Sequence, residues 1–253
     1  MDTVPPAVET TAAFVFGLLF GSFANVLIHR LPRRESIVAP GSRCPACGVP
    51  IRPWDNIPVV SYLLLRGRCR ACGAPISPRY VVVEVVTAGL IAAIVWRFGL
   101  SFTTLRYGVF GFALLVVFFT DLEHQIIPNA VTYPGIVAGI ALSAVAGQLA
   151  ASVIAAAAAG LVFLILGVVS RGGMGGGDIK LAAMIGAFLG TPAVIVALFL
   201  AVALGAAAGL LLLALRLRSR KDMIPFGPAM AAGAMIAVFG SNAIISWYTS
   251  RMF

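Results

Sequence analysis

The chain has 253 residues, of which 60% are hydrophobic and only 11% charged, and its mean hydropathy is +1.03. An ordinary soluble globule carries roughly 25% charged residues, so that class is excluded, the more firmly because residues 125–170 and 181–215 contain no Asp, Glu, Lys or Arg. The net charge of +9 sets 18 basic residues against nine carboxylates, few enough that each carboxylate needs a reason for its position.

A transmembrane helix needs about 20 mostly apolar residues. Divided at their Gly and Pro punctuation, the apolar runs predict an all-α polytopic membrane protein with about eight spans, at 10–28, 80–97, 105–121, 129–147, 150–170, 179–190, 192–215 and 227–247. The third can continue towards Ile127, since Pro128 disfavours helix at the residue before it. The sixth is short and ends at Gly190-Thr191-Pro192. Asp2 and Glu9 precede the first span where a secretory signal has a basic region, so that span is expected to be retained.

Basic loops favour the cytoplasmic side. With both termini outside, 15 basic residues fall inside, nine of them Arg of the 29–79 loop, and only Arg97, Arg106 and Arg251 fall outside. The expected organisation is a first transmembrane helix over 1–28, a cytoplasmic four-cysteine loop domain over 29–79 and a transmembrane domain over 80–253. The loop is too short and too poor in large apolar residues to bury a stabilising core alone, and domains of that size usually need a metal, a disulfide or a partner.

All four cysteines lie in this loop, as Cys44-Pro-Ala-Cys47 and Cys69-Arg-Ala-Cys72, each pair followed by a glycine (Gly48, Gly73) and the pairs separated by 21 residues. That spacing is close to a zinc ribbon, in which each tight turn aims two thiolates at one tetrahedral ion. Disulfides are rare in a reducing cytoplasm, and the remaining alternatives are redox-active or free thiols. A four-cysteine zinc site has no open coordination position, so it accounts for the loop's fold and for no reaction.

Two carboxylates are hardest to explain as structure. Asp121 closes the run Leu114 to Thr120 at the cytoplasmic end of the third span, where the helix dipole opposes a negative charge and a deeper position costs about 2.5–3.5 kcal/mol; an interfacial charge reaching water is the alternative. Asp178 ends Gly172-Gly173-Met174-Gly175-Gly176-Gly177 just before the sixth span. It suits an N-cap, but five glycines in six residues exceed what a cap requires and let another part of the chain come close. Two carboxylates meeting in a desolvated site share a proton. One then activates water while the other protonates the carbonyl oxygen or leaving group, as in aspartic proteases.

Gly175-Gly176-Gly177-Asp178 matches the G-x-G-D signature of intramembrane aspartyl proteases, and the setting Gly173 to Leu181 resembles the type IV prepilin peptidase family. The likeness extends to Gly21-Ser22-Phe23-Ala24-Asn25-Val26, Arg30-Leu31-Pro32, the cysteine pairs, Arg79-Tyr80 through Glu84, Ile127-Pro128-Asn129 and Pro225-Phe226-Gly227-Pro228. Asn129 departs from the Asp often found there. The resemblance implies that Asp121 and Asp178 remove the basic leader of type IV prepilins or pseudopilins at the cytoplasmic face of the bacterial inner membrane, in pilus assembly or protein secretion. Many relatives then methylate the new amino terminus from S-adenosylmethionine, for which no site is readable in the residues.

Gly175, Gly177 and Lys180 make up the expected active-site loop, although Lys180 also reads as a flanking charge. Asn25, Arg30 and Glu84 are candidates for a substrate or methyl-donor site. Asn25 has an interhelical hydrogen bond as its alternative role, and Glu84, one turn inside the second span, an ion pair with Arg79 or Arg30. His124 shares a helix face with Asp121 and reads as a polar end group. The Arg-rich loop and Arg216 to Lys221 suit anionic headgroups of the bilayer, and too few aromatics are interleaved for nucleic acid. Two other classes remain. A non-enzymatic scaffold would recruit a partner through the zinc knuckle, and a transporter would place its charges near the midplane.

Overall fold

The computed structural model describes residues 6–170, 174–217 and 225–252, apart from the Met252 side chain. Arg171, Gly172 and Gly173 of the glycine run, Asp2, and Arg218 to Asp222 lie outside the described residues. Among the described residues every regular element is helical, apart from two isolated β-bridges. All eight expected spans appear as helices: α1 Pro6–Arg30, α3 Arg79–Phe98, α4 Phe102–His124, α5 Asn129–Val145, α6 Leu149–Val169, α7 Gly176–Leu189, α8 Ala193–Ala214 and α9 Gly227–Met252. A short α2, Val60–Leu64, lies in the cysteine loop. Six of these helices are long and apolar enough to cross a membrane, while α5 and α7, at 17 and 14 residues, are shorter. The chain is therefore a multi-pass membrane protein.

The third span does not run on to Ile127. It ends at His124, because Gln125 turns into the left-handed region at φ 53. Asp178 does not stand before its helix either. Gly176 and Gly177 have joined α7, Gly175 is the N-cap, and Asp178 occupies the third helical position.

The chain forms two compact units, residues 1–112 and 113–253. In the first, α1 and α3 run antiparallel in close contact, because a Cβ on Gly17 would come 2.6 Å from the Ala88 Cα and one on Gly21 would come 2.5 Å from the Glu84 Cα. Small residues let two helix backbones approach in this way where lipid removes any hydrophobic drive between helices. Asn25, 4% exposed, donates from Nδ2 to the Tyr80 carbonyl at 3.0 Å and stitches the same pair.

In the second unit, α7 is the buried element. Eight of its 14 residues, including Met184, Ile185 and Phe188, are enclosed by α5 and α6. Its C-terminal carbonyls would lack intrahelical partners, yet the Ala187 carbonyl accepts from Ser143 of α5 at 2.9 Å and Ser152 of α6 at 2.7 Å. Satisfying that carbonyl inside the protein removes a cost of several kcal/mol for an unpaired group in hydrocarbon. The remaining pair, α8 and α9, meets at Gly233, where a Cβ would come 2.6 Å from the Ala201 nitrogen.

Candidate active site

Asp121 is 6% exposed near the end of α4. Its Oδ2 accepts the Gly227 N–H at 2.8 Å, so the carboxylate sits on the first residue of α9. A helix start offers unpaired N–H groups and a positive dipole end, which stabilises the negative charge that α4's own C-terminus opposes. The site needs glycine at 227, since a Cβ there would lie 2.7 Å from that Oδ2.

Asp178 is partly buried, and its Oδ2 accepts the N–H of Gly175 at 3.0 Å. This is the acidic half of a capping box; glycine has no side chain to supply the other half, and Asp178 N–H instead donates to the Gly175 carbonyl at 3.1 Å. The glycine run serves close approach at one point. A Cβ on Gly177 would come 2.9 Å from the Ile127 Cβ, whereas one on Gly176 would meet nothing within 4 Å. Asp121 and Asp178 lie within Coulombic reach of each other. The second unit thus collects two carboxylates at two helix starts, each aimed by a backbone N–H.

Beside them, Lys180 Nζ donates to Asn129 Oδ1 at 2.6 Å and lies 5.4 Å from the Tyr133 ring centre, joining α7 to α5. His124 lies 3.9 Å from Glu123.

In the first unit, Glu84 is 8% exposed. Its Oε2 accepts the Val59 N–H at 2.8 Å, and Ser22 is hydrogen-bonded to the same carboxylate. Asn25 Oδ1 is buried with no partner among the described residues. Arg30 is committed elsewhere, donating to the carbonyls of Ser36 at 2.7 Å and Pro40 at 2.6 Å.

The four sulfurs lie within 4.8 Å of one another, and those of Cys44 and Cys72 are 3.9 Å apart. Four thiolates around one ion with bonds of about 2.3 Å lie roughly 3.8 Å apart, so the cluster has the dimensions of a metal site. The two knuckles are built alike: Cys44 N–H donates to Val49 and Gly48 N–H to Cys44, as Cys69 N–H does to Ala74 and Gly73 N–H to Cys69. Gly48 and Gly73 turn at φ 72 and 73. Backbone N–H groups of Cys47 and Ala46 lower the Cys44 thiol to about 6, while the neighbouring thiols push Cys72 up to about 11. Arg70, inside the second knuckle, grips Asp55 with Nε at 2.9 Å and Nη2 at 2.7 Å. The sequence carries a signal for this likeness in Arg-Cys-x-Ala-Cys-Gly-x-Pro-Ile, which occurs at Arg43–Ile51 and again at Arg68–Ile76.

Fold and site together define a polytopic helical membrane protein with an aspartate pair in one unit and a four-thiol cluster in the other. Comparison with known proteins agrees. A family model described as Bacterial Peptidase A24 N-terminal domain matches residues 15–98, and one described as Type IV leader peptidase family matches residues 108–210. The chain is 38% identical to the prepilin leader peptidase/N-methyltransferase of Bacillus subtilis (strain 168), over 93% of this chain and 96% of that protein. It is 35% identical to the protein of the same description from Pseudomonas putida (98% and 95% covered) and 33% to that from Neisseria gonorrhoeae (94% of each). No solved structure matches. The chain belongs to the type IV leader peptidase family.

Proposed function

We propose that this protein is an aspartic endopeptidase of the bacterial inner membrane that removes the basic leader of prepilins or pseudopilins at the cytoplasmic face, with both termini outside. Asp121 and Asp178 are the catalytic pair. The observation that carries this reading is that both carboxylates are fixed by backbone N–H groups, of Gly227 and Gly175, within Coulombic reach of each other. With one carboxylate ionised and the other protonated, the first takes a proton from water as it attacks the scissile carbonyl. The second gives its proton to that oxygen; as the tetrahedral diol collapses, the first passes the water proton to the leaving amine and a diol hydroxyl returns a proton to the second, which restores the pair. Gly175 caps α7, Gly177 lets its first turn come close to Ile127, and Lys180 ties it to Asn129, so these three residues fix the helix start, not a loop, that presents Asp178. Replacing either Asp by Asn tests the pair against a co-expressed prepilin: leader removal is expected to stop, and cleavage that persists in either variant rejects it.

The second activity named in the relatives' description is that of an N-methyltransferase; the family resemblance implies transfer of a methyl group from S-adenosylmethionine to the new amino terminus, the amine losing a proton and the sulfonium becoming a thioether. We assign it to the first unit, where the buried Asn25 Oδ1 is an open acceptor beside the Glu84 and Ser22 cluster and Arg30 holds the adjoining loop. Asn25→Ala is expected to lower labelled methyl transfer while leader removal continues; equal loss of both rejects the assignment. Zinc held by Cys44, Cys47, Cys69 and Cys72 stabilises the loop. The non-enzymatic scaffold has no observation in its favour.

A further inference from the structure

Between Trp54 and Leu64 the cysteine loop exposes an unusual amount of apolar surface: Trp54 is 59% exposed, Ile57 48%, Val60 47%, Leu63 66% and Leu64 75%. The segment is nevertheless ordered. The Ser61 hydroxyl donates to the Trp54 carbonyl at 2.9 Å and accepts the Ile57 N–H at 2.9 Å, which closes the chain around the start of α2. Val59, the residue before α2, is held at φ 60, ψ −51, a region that a β-branched side chain occupies only when its surroundings enforce it.

The turn is closed by the Val60 N–H, which donates to the Pro58 carbonyl at 2.6 Å, and a second bond at Val59 fixes its level along α3. The Val59 N–H donates to Glu84, which lies five residues inside α3, or about 7.5 Å along the helix axis from Arg79. The 20 residues of α3 rise about 30 Å in all, the thickness of the hydrocarbon core. The close approach of Gly21 to Glu84 puts α1 at the same level. The start of α2 is therefore tied to the α1–α3 pair about 7.5 Å inside the Arg79 end of α3, with its backbone N–H satisfied by protein as an apolar surrounding requires.

The charges around the patch are of one sign. Arg52, Arg66 and Arg68 are exposed, no Asp or Glu occurs from 56 to 83, and Asp55 is taken up by Arg70. Apolar side chains with an aromatic and a fringe of Arg are what an interfacial segment presents to an anionic leaflet.

We infer that residues 54–64 form an interfacial foot, embedded in the leaflet that the Arg79 end of α3 enters. Leu63, Leu64 and Val60 lie among the upper acyl chains, and Arg52, Arg66 and Arg68 lie at lipid phosphates. The foot ties the four-cysteine loop to the membrane surface, so that lipid composition bears on the loop's stability.

The test uses the full chain in nanodiscs of mixed phosphatidylcholine and phosphatidylglycerol. Trp54, Trp96 and Trp247 are replaced by Phe, and Leu64→Trp supplies the one reporter. Phospholipid brominated high on the acyl chain is expected to at least halve the emission, and aqueous iodide to leave it unchanged. Leu63→Trp in the same background gives the same readout should the first variant fail to fold. Quenching by iodide without quenching by brominated lipid overturns the inference in favour of a water-exposed patch. A blue shift that appears only on addition of a basic leader peptide overturns it in favour of a substrate-docking surface.

Discussion

Gly177→Ala is expected to disable leader removal while Gly176→Ala is tolerated, although the two glycines are neighbours in one run. An alanine Cβ at 177 would stand 2.9 Å from the Cβ of Ile127 and 3.4 Å from its Cγ1 and Cδ1. Carbon atoms rest at about 3.5–4.0 Å, so the overlap is roughly 0.6–1.1 Å. Ile127 has little room to yield, because it precedes Pro128 at the entry to α5, and α7 must shift by an amount of that order. The first residue to move is Asp178, the next in the chain. A displacement near 1 Å at a reacting group costs about 100-fold in rate, equivalent to about 2.7 kcal/mol of barrier. At 176 a Cβ meets nothing within 4 Å, and alanine is the better helix former. The assay is cleavage of a synthetic prepilin in nanodiscs, with thermal unfolding as the control for fold. Normal cleavage by Gly177→Ala, or equal damage from both variants, refutes the reasoning.

Gly227→Ala puts a Cβ 2.7 Å from Asp121 Oδ2 and breaks a hydrogen bond to a charged group, worth about 1.5–3 kcal/mol; leader removal is expected to fall at least about tenfold with the helices intact by circular dichroism. Gly21→Ala meets the Glu84 backbone at 2.5 Å, whereas Gly89→Ala meets nothing within 4 Å. The first is expected to destabilise the protein by about 1–3 kcal/mol and lower its thermal midpoint, and the second to leave it unchanged. Chelation of a zinc-loaded preparation is expected to expose the 29–79 loop to protease while the transmembrane helices keep their circular dichroism, because a metal that binds only the folded loop contributes its binding energy to that fold. Asn129→Asp turns the 2.6 Å contact with Lys180 into an exposed ion pair worth about 0.2–1 kcal/mol, so cleavage is expected to continue undiminished.

The spans were legible because a bilayer imposes length and polarity on every crossing helix, and the residues conform: α6 and α8 lie within a residue of their expected ends. The thiol cluster was legible because its spacing is local to two tight turns. What escaped the sequence was contact between distant segments. Nothing in Val59 or Glu84 announces the bond between them, 25 positions apart, and of the two arginines expected as partners for Glu84, Arg79 and Arg30, the second holds backbone carbonyls of the adjoining loop. The glycine run indicated close approach without naming Ile127 as the neighbour or separating Gly177 from Gly176.

Asp121 shows how a cost visible in sequence can be offset by a partner that is not. Read along its own helix, it is a carboxylate at the wrong end of a dipole in an apolar run. Its partner at Gly227 lies 106 residues away and supplies the N-terminal end of α9 instead. Asp178 is served by α7 in the same sense, within its own first turn. Because the bond is made by a backbone N–H to a side-chain oxygen, asparagine can accept it as well as aspartate. The Asp→Asn variants therefore remove the ionisable group and leave the helix-start contact in place, which separates the chemical role of each carboxylate from its structural one. Loss of cleavage with unchanged thermal stability assigns these residues to the reaction, and a matching fall in stability assigns them to the fold.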